Sequence, residues 1–300
     1  MRIGTSSLAL SVGVTDLRYL ATLCRGLPLV SAMAFLLSTA AAQKPAKSHP
    51  ATAQTADRYS LVPFDPSVEA LPRGFRGHDP ERIYAALKRA KLKKDEFESS
   101  DAYNRRMETL KGQPILGSLT LQSLYVFDLE LVDGYRLPSD PSYSGRPVKP
   151  TYDADHGTMS ILLSWSSSLD SNSELRSFRS KSRVMPRGSY IGSNAFGVAR
   201  TIRSYRYDSY CLAVPDASSE LRVAFGIAPD KARTVRHRVR LLLVGRLAEP
   251  FTLPDEQNAW PAEIDKPFEY IFTEHQIRFN PKYMIAYDPA TGEIFGSSFH

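Results

Sequence analysis

The stretch Gly188–Val214, GSYIGSNAFGVARTIRSYRYDSYCLAV, most limits what this chain can fold into. Gly188, Gly192 and Gly197 divide it. Between and after them stand Tyr190, Ile191, Val198, Thr201, Ile202, Tyr205, Tyr207 and Tyr210. Aromatic and β-branched side chains suit a pleated, half-buried surface. Glycine within such a pattern marks a turn, a bulge or the close approach of another backbone. The stretch predicts two or three adjacent strands in the middle of a mostly antiparallel sheet, and it carries no recognisable chemistry.

Upstream of it the pattern is helical. Asp79 suits an N-cap and Pro80 the first helical position, and Ile83, Ala86, Leu87 and Ala90 recur at one-face spacing. Lys88, Arg89, Lys91, Lys93 and Lys94 follow, as a solvated face with charges favourable to a helix C-terminus. Contact with anionic lipid or polymer is the sharper alternative for this run. A second helix is expected from Ser99 or Ser100, with Tyr103, Met107 and Leu110 on one face and Gly112 after its end.

Beyond Pro114 the reading turns to strands. Ser118–Leu131 alternates, Asp133-Gly134 reads as a turn, Arg136–Thr158 as a long loop, Met159–Trp165 as a strand and Ser166–Ser173 as a flexible loop. In Arg236–Arg246, Arg236, Arg238 and Arg240 alternate with His237, Val239 and Leu241, which predicts a strand with one wet face. Tyr287–Glu293 (YDPATGE) predicts a hairpin turn. The fold expected is α+β: an N-terminal helical pair (residues 59–112) packed on a larger, mainly antiparallel β domain (residues 113–300).

The N-terminal part has a separate character. Gly26–Ala42 is seventeen residues without a charge, preceded by Arg25 and ending in three alanines. A basic flank, an apolar run and small residues before the cut are the parts of a secretory signal peptide, so residues 1–42 are expected to be removed after Ala42. Retention of residues 26–42 as a membrane anchor is the alternative, although a spanning helix needs about 20 apolar residues. Residues 43–58 read as a flexible linker of alanine, proline and polar residues. Cleavage places the chain in the periplasm or outside the cell.

Two short segments resemble known sequences. Phe97-Glu98-Ser99-Ser100, with Tyr103 and Arg106, is similar to the phenylalanine-glutamate-threonine-threonine helix start of uncharacterised exported bacterial envelope proteins. Serines stand in place of the threonines, and Ala102 stands where an acidic residue would complete a capping box. Gly192–Gly197 (GSNAFG) resembles a glycine-asparagine-alanine-phenylalanine-glycine segment of the same proteins. The resemblance covers about twenty residues. It implies an envelope protein and supplies no catalytic residues.

The search for chemistry yields little. The net charge of +6 includes +2 from residues 1–42 (Arg2, Arg18 and Arg25 against Asp16), leaving +4 for the remainder, too little to argue for nucleic-acid binding. The glycines lack phosphate-loop spacing, Ser189 is misplaced for a nucleophile elbow, and no HExxH pair is present. Asp153, Asp155 and His156 could converge on a hard cation, and a turn explains the same residues. Only Cys24 and Cys211 are present, and Cys211 in an apolar run reads as a small hydrophobe. Glu274-His275 and Asp255-Glu256 read as isolated surface residues. No cofactor and no metal is expected, and catalytic residues are unknown. The expectation is a non-enzymatic binding or structural role in the envelope, with an unknown envelope protein or polymer as partner. A secreted hydrolase with a dispersed site, or a membrane-tethered interaction domain, is the alternative.

Overall fold

The computed structural model describes residues 59–137, 144–164, 175–215 and 220–299. The expected signal segment, the linker and the loop Ser166–Ser173 lie outside the described residues. Strand greatly outweighs helix in what is described, and all pairings but one are antiparallel.

Helix α1 (Pro80–Arg89) starts where the local chemistry says it should. Asp79 accepts the Glu81 N–H at 3.0 Å, Pro80 begins the first turn, and Lys88 and Arg89 sit at the negative end of the helix dipole. Ile83, Tyr84, Ala86 and Leu87 are buried against the sheet. Helix α2 (Ser100–Gly112) is capped by Ser99, which accepts the Ala102 N–H at 3.2 Å. It buries Met107, with Tyr103 and Leu110 half-buried beside the same core.

Strands β1 (Pro114–Leu116) and β2 (Leu119–Thr120) form a small hairpin. The main sheet follows the order β3 (Tyr125–Leu129), β11 (Arg240–Thr252), β13 (Phe268–Tyr287), β9 (Ala199–Pro215), β8 (Leu175–Ser193). Its spine is β13, twenty residues long. The first half of β13 lies between parallel β9 and antiparallel β12 (Glu256–Trp260). Its second half lies between β11 and β14 (Ile294–Phe299). A second sheet has the order β10 (Glu220–Gly226), β7 (Thr158–Ser164), β6 (Thr151–Asp153), and β4 (Val132–Arg136) pairs with β5 (Ser144–Pro147).

Both faces of the β3–β11–β13 region are covered. On one face Phe127, Leu129, Leu241, Leu243, Met284 and Ala286 pack with inward residues of β7 and β10 and with α1. On the other, Val126, Leu242, Val244, Ile285 and Tyr287 pack under Phe64 and Leu71 of the leading segment. Two-sided burial explains why Leu241–Val244 is an unbroken apolar run and why β3 is buried at all five positions.

Several expectations are corrected by these pairings. The Gly188–Val214 stretch makes parts of two strands, and β8 ends the strand order instead of sitting in its middle. Asp133-Gly134 lies within β4, not in a turn. The supposed loop Arg136–Thr158 holds β5 and β6. Arg236 and Arg238 are not on a strand: helix α3 (Pro229–Val235) and a turn precede β11. His237 accordingly faces solvent, Arg238 pairs with buried Asp288 at 2.7 Å, and Arg240 with buried Asp128 at 2.7 Å. The Tyr287–Glu293 turn is present. Gly292 at φ 83° donates to the Asp288 carbonyl at 2.7 Å.

Candidate functional site

The β8–β9 hairpin runs well past its support. Parallel pairing with β13 ends at Phe268 opposite Arg203, while β8 and β9 continue to pair as far as Ser193 opposite Ala199. Almost every residue from Pro186 to Arg203 is exposed, on both faces of the ribbon. This arm keeps Tyr190 at 49%, Ile191 at 78%, Phe196 at 90% and Val198 at 45% exposure. A ribbon of two strands has no core of its own to hide such side chains in.

The tip is a built loop. Asn194 Oδ1 accepts the backbone N–H groups of Phe196 and Val198, each at 3.0 Å. Gly197 N–H donates to the Asn194 carbonyl at 3.0 Å and sits at φ 78°, where a side chain would be strained. Gly192 faces the Ile202 side chain so closely that a Cβ there would collide with Cδ1. Asn194 and Gly197 of the GSNAFG segment thus have structural tasks, and the result is that Phe196 projects into solvent. Below the tip, Tyr190 donates to Glu269 at 2.8 Å and ties the arm to the start of β13.

Charge is graded along the arm. From Lys181 to Tyr207 there are six cations (Lys181, Arg183, Arg187, Arg200, Arg203, Arg206) and no carboxylate. The cations at the base are neutralised: Lys181 by Asp79 and Glu81, Arg183 by Glu81, Arg206 by Asp208 at 2.6 Å. The distal Arg187, Arg200 and Arg203 are exposed and, among the described residues, have no carboxylate within 4.0 Å. The loop beneath the arm adds Ile264, 45% exposed, across a cleft of about 240 Å³.

The other resembling segment has a different use. Arg106 binds Glu98 through two nitrogens, at 2.7 and 2.9 Å, donates to the Lys91 and Lys93 carbonyls, and lies 5.3 Å from the Tyr103 ring centre. Glu98, Tyr103 and Arg106 therefore fasten the α1–α2 connection. Phe97 beside them is 90% exposed, at a groove of about 780 Å³ that Lys88, Lys91, Lys93 and Lys94 also line.

Glu274, His275 and Asp255 are not isolated surface residues. His275 is 8% exposed, stacks on Tyr210 at 4.8 Å, and holds Nδ1 3.3 Å from Asp255, which also accepts from Tyr84. Against the opposing effect of its partial burial, Asp255 is held below the usual carboxylate range by the Tyr84 hydrogen bond, the adjacent His275 ring and the Lys88 charge. Glu274 is 5% exposed on the opposite face of β13. Its Oε1 accepts from Ser177 at 2.6 Å and from Gln276 at 3.2 Å, and Gln276 also donates to Glu256. Burial, helped by the nearby Glu256 charge, pushes the Glu274 carboxyl up. This network stitches β8 to β13.

Cys211 is fully buried and burial pushes its thiol far up, the setting of a small hydrophobe. Asp153 closes an exposed turn by accepting from the backbone of Asp155 and His156 and from the His156 ring at 2.7 Å. Among the described residues no three His, Cys, Asp or Glu side chains are grouped to hold a metal ion. No protein-family model, curated protein or solved structure matches the chain.

Proposed function

We propose that this chain is an exported protein of the bacterial envelope with a non-enzymatic role, and that residues 186–203 are the element with which it docks. The scaffold is read as α+β, with the α1–α2 pair docked on a β domain and serving to hold the arm's base through Asp79 and Glu81. One observation carries the reading. Of nine large apolar side chains exposed among the described residues, five (Tyr190, Ile191, Phe196, Val198, Ile264) gather on the arm and the loop beneath it. Scattered apolar residues are ordinary on a surface, whereas a contiguous exposed group marks an interaction site. Export rests on the Gly26–Ala42 segment and on the resemblance of Gly192–Gly197 to exported proteins.

The test is photo-crosslinking in the native cell, with a benzophenone side chain placed at position 196 and, as the control, at position 162, which is 41% exposed on β7. Adducts in the envelope fraction that depend on position 196 and weaken in Ile191→Ser are the expected result. Equal labelling from both positions would remove the arm from the docking role. The intact mass of the same material reports whether the chain begins at Gln43.

A further inference from the structure

We infer that the surface the arm docks on is an anionic lipid headgroup layer, which the tip enters. This rests on the arm's being the docking element. From tip to base the chemistry passes from mainly apolar to cationic, the sense a bilayer interface requires, with Arg200 set among the apolar residues. Phe196 and Val198 come first, then Arg200 opposite Gly192, then Ile191 and Tyr190, then Arg203 opposite Ser189 and Arg187, with paired charges only at the base. At roughly 3.3 Å per residue, the arginine at 203 stands about 15 Å behind the tip loop. Interfacial elements bury their apolar face about 5–10 Å into the headgroup boundary, which leaves Arg203 and Arg187 at or above the phosphates, while Arg200, next to the tip loop, reaches them along its stem. Tyrosine is enriched at that boundary, and arginine carries its charge outward along an apolar stem.

The competing occupant, a folded protein, fits less well. A stable protein interface covers about 800 Å² on each partner. A tip of four partly exposed side chains offers on the order of 400 Å². Strand addition along β8 is interrupted, because Pro186 lacks an N–H and the register shifts between Pro186 and Gly188. A lipid surface needs neither a large complementary face nor a regular strand edge. It needs apolar side chains held outward by a stiff loop, as Asn194 holds Phe196, and cations without internal partners.

The experiment is vesicle sedimentation of the full chain with phosphatidylcholine alone and with 30% phosphatidylglycerol. Residues 26–42 are common to every variant, so their effect cancels in the comparison. Wild type is expected to partition about tenfold more strongly into the anionic vesicles and to lose that preference between 50 and 300 mM salt. Phe196→Asp with Ile191→Ser is expected to lose about tenfold. Arg187→Gln with Arg200→Gln and Arg203→Gln is expected to abolish the preference for phosphatidylglycerol. Phe196→Trp gives an independent readout, a blue shift on anionic vesicles quenched by shallow brominated lipid. An unshifted Phe196→Trp spectrum together with wild-type partitioning of the Asp/Ser variant overturns the inference. Should position 196 crosslink specifically to a protein while vesicles are ignored, the lipid inference falls and the docking arm stands. If neither occurs, both fall.

Discussion

Asn194 accepts the backbone N–H of Phe196 on its side-chain oxygen at 3.0 Å, and the same oxygen accepts from Val198. A side chain is thereby spent on fixing the backbone on either side of Gly197, and the phenylalanine between is left without a neighbour to pack on. Nothing in the core depends on this arrangement. The arm is exposed on both faces, so the clamp stabilises a presented geometry and contributes little to the fold.

Asn194→Ala should therefore separate stability from docking. Two hydrogen bonds worth about 1 kcal/mol each are lost locally, but the global melting temperature should move by less than about 1 °C, since the arm buries almost nothing. Amide hydrogen exchange at Phe196 and Val198 should accelerate at least tenfold, with exchange in β11 and β13 unchanged. A drop in the melting temperature without faster exchange at the tip would contradict this assignment.

His78 connects the leading segment to the sheet. Its Nδ1 accepts the Val126 N–H at 2.9 Å and its Nε2 donates to the Val62 carbonyl at 2.8 Å, so the ring is neutral as it sits. Burial holds its pKa below the usual histidine value. A depressed folded-state value means that the contribution is complete above the unfolded value of about 6.5 and is lost as pH falls below it. Urea midpoints of the wild type should decline from pH 7 to pH 5. His78→Gln should be less stable at pH 7 and lack that portion of the decline; parallel pH curves for the two proteins would refute the assignment.

Asp128 is the anchor for two arginines that are remote in sequence. Arg76 reaches it at 3.1 Å and Arg240 at 2.7 Å, and the carboxylate is 3% exposed. Asp128→Ala leaves both guanidinium groups facing a site that was closed around a carboxylate. A buried pair broken on one side costs about 3–5 kcal/mol, and partial exposure of both arginines lowers the expectation to about 2–3. A double-mutant cycle with Arg240→Met should give a coupling of at least about 1 kcal/mol. Additive losses would show that the pair contributes nothing beyond its packing.

These cases mark what the residues disclose in order and what they withhold. The starts of α1 and α2, and the Tyr287–Glu293 turn, were legible because capping and turn chemistry act over three or four neighbours. Helix α3 was missed although Pro229, Ala232 and Val235 offered a first-position proline and one-face spacing; the arginine alternation that follows won the reading. Burial of Asp128, Glu274 and Asp288 depends on partners more than fifty residues away in several cases, and charged residues read one at a time default to the surface. The arm was half legible. Its glycines and β-formers foretold paired strands, but an apolar residue in a strand pattern reads as core. Only the end of β13 pairing at Phe268 reveals that Ile191 and Phe196 have no layer above them.

Glu274 supplies the opposite pH leg to His78, and the sign separates the two. Its folded-state pKa is raised, chiefly by burial and further by the Glu256 charge, against the pull of Ser177 and Arg179. A carboxyl with a raised folded value favours the folded state when protonated. Its contribution is complete below the unfolded value of about 4.3 and is lost as pH rises through the folded value. Glu274→Gln keeps an acceptor for Ser177 and removes the charge. The difference in urea midpoint, variant minus wild type, should therefore grow as pH rises from 4.5 to 8, and the histidine contribution cancels because both proteins carry His78. A difference that stays flat would mean that Ser177 and Gln276 fully compensate the buried charge, and that the network holds β8 to β13 without cost at neutral pH.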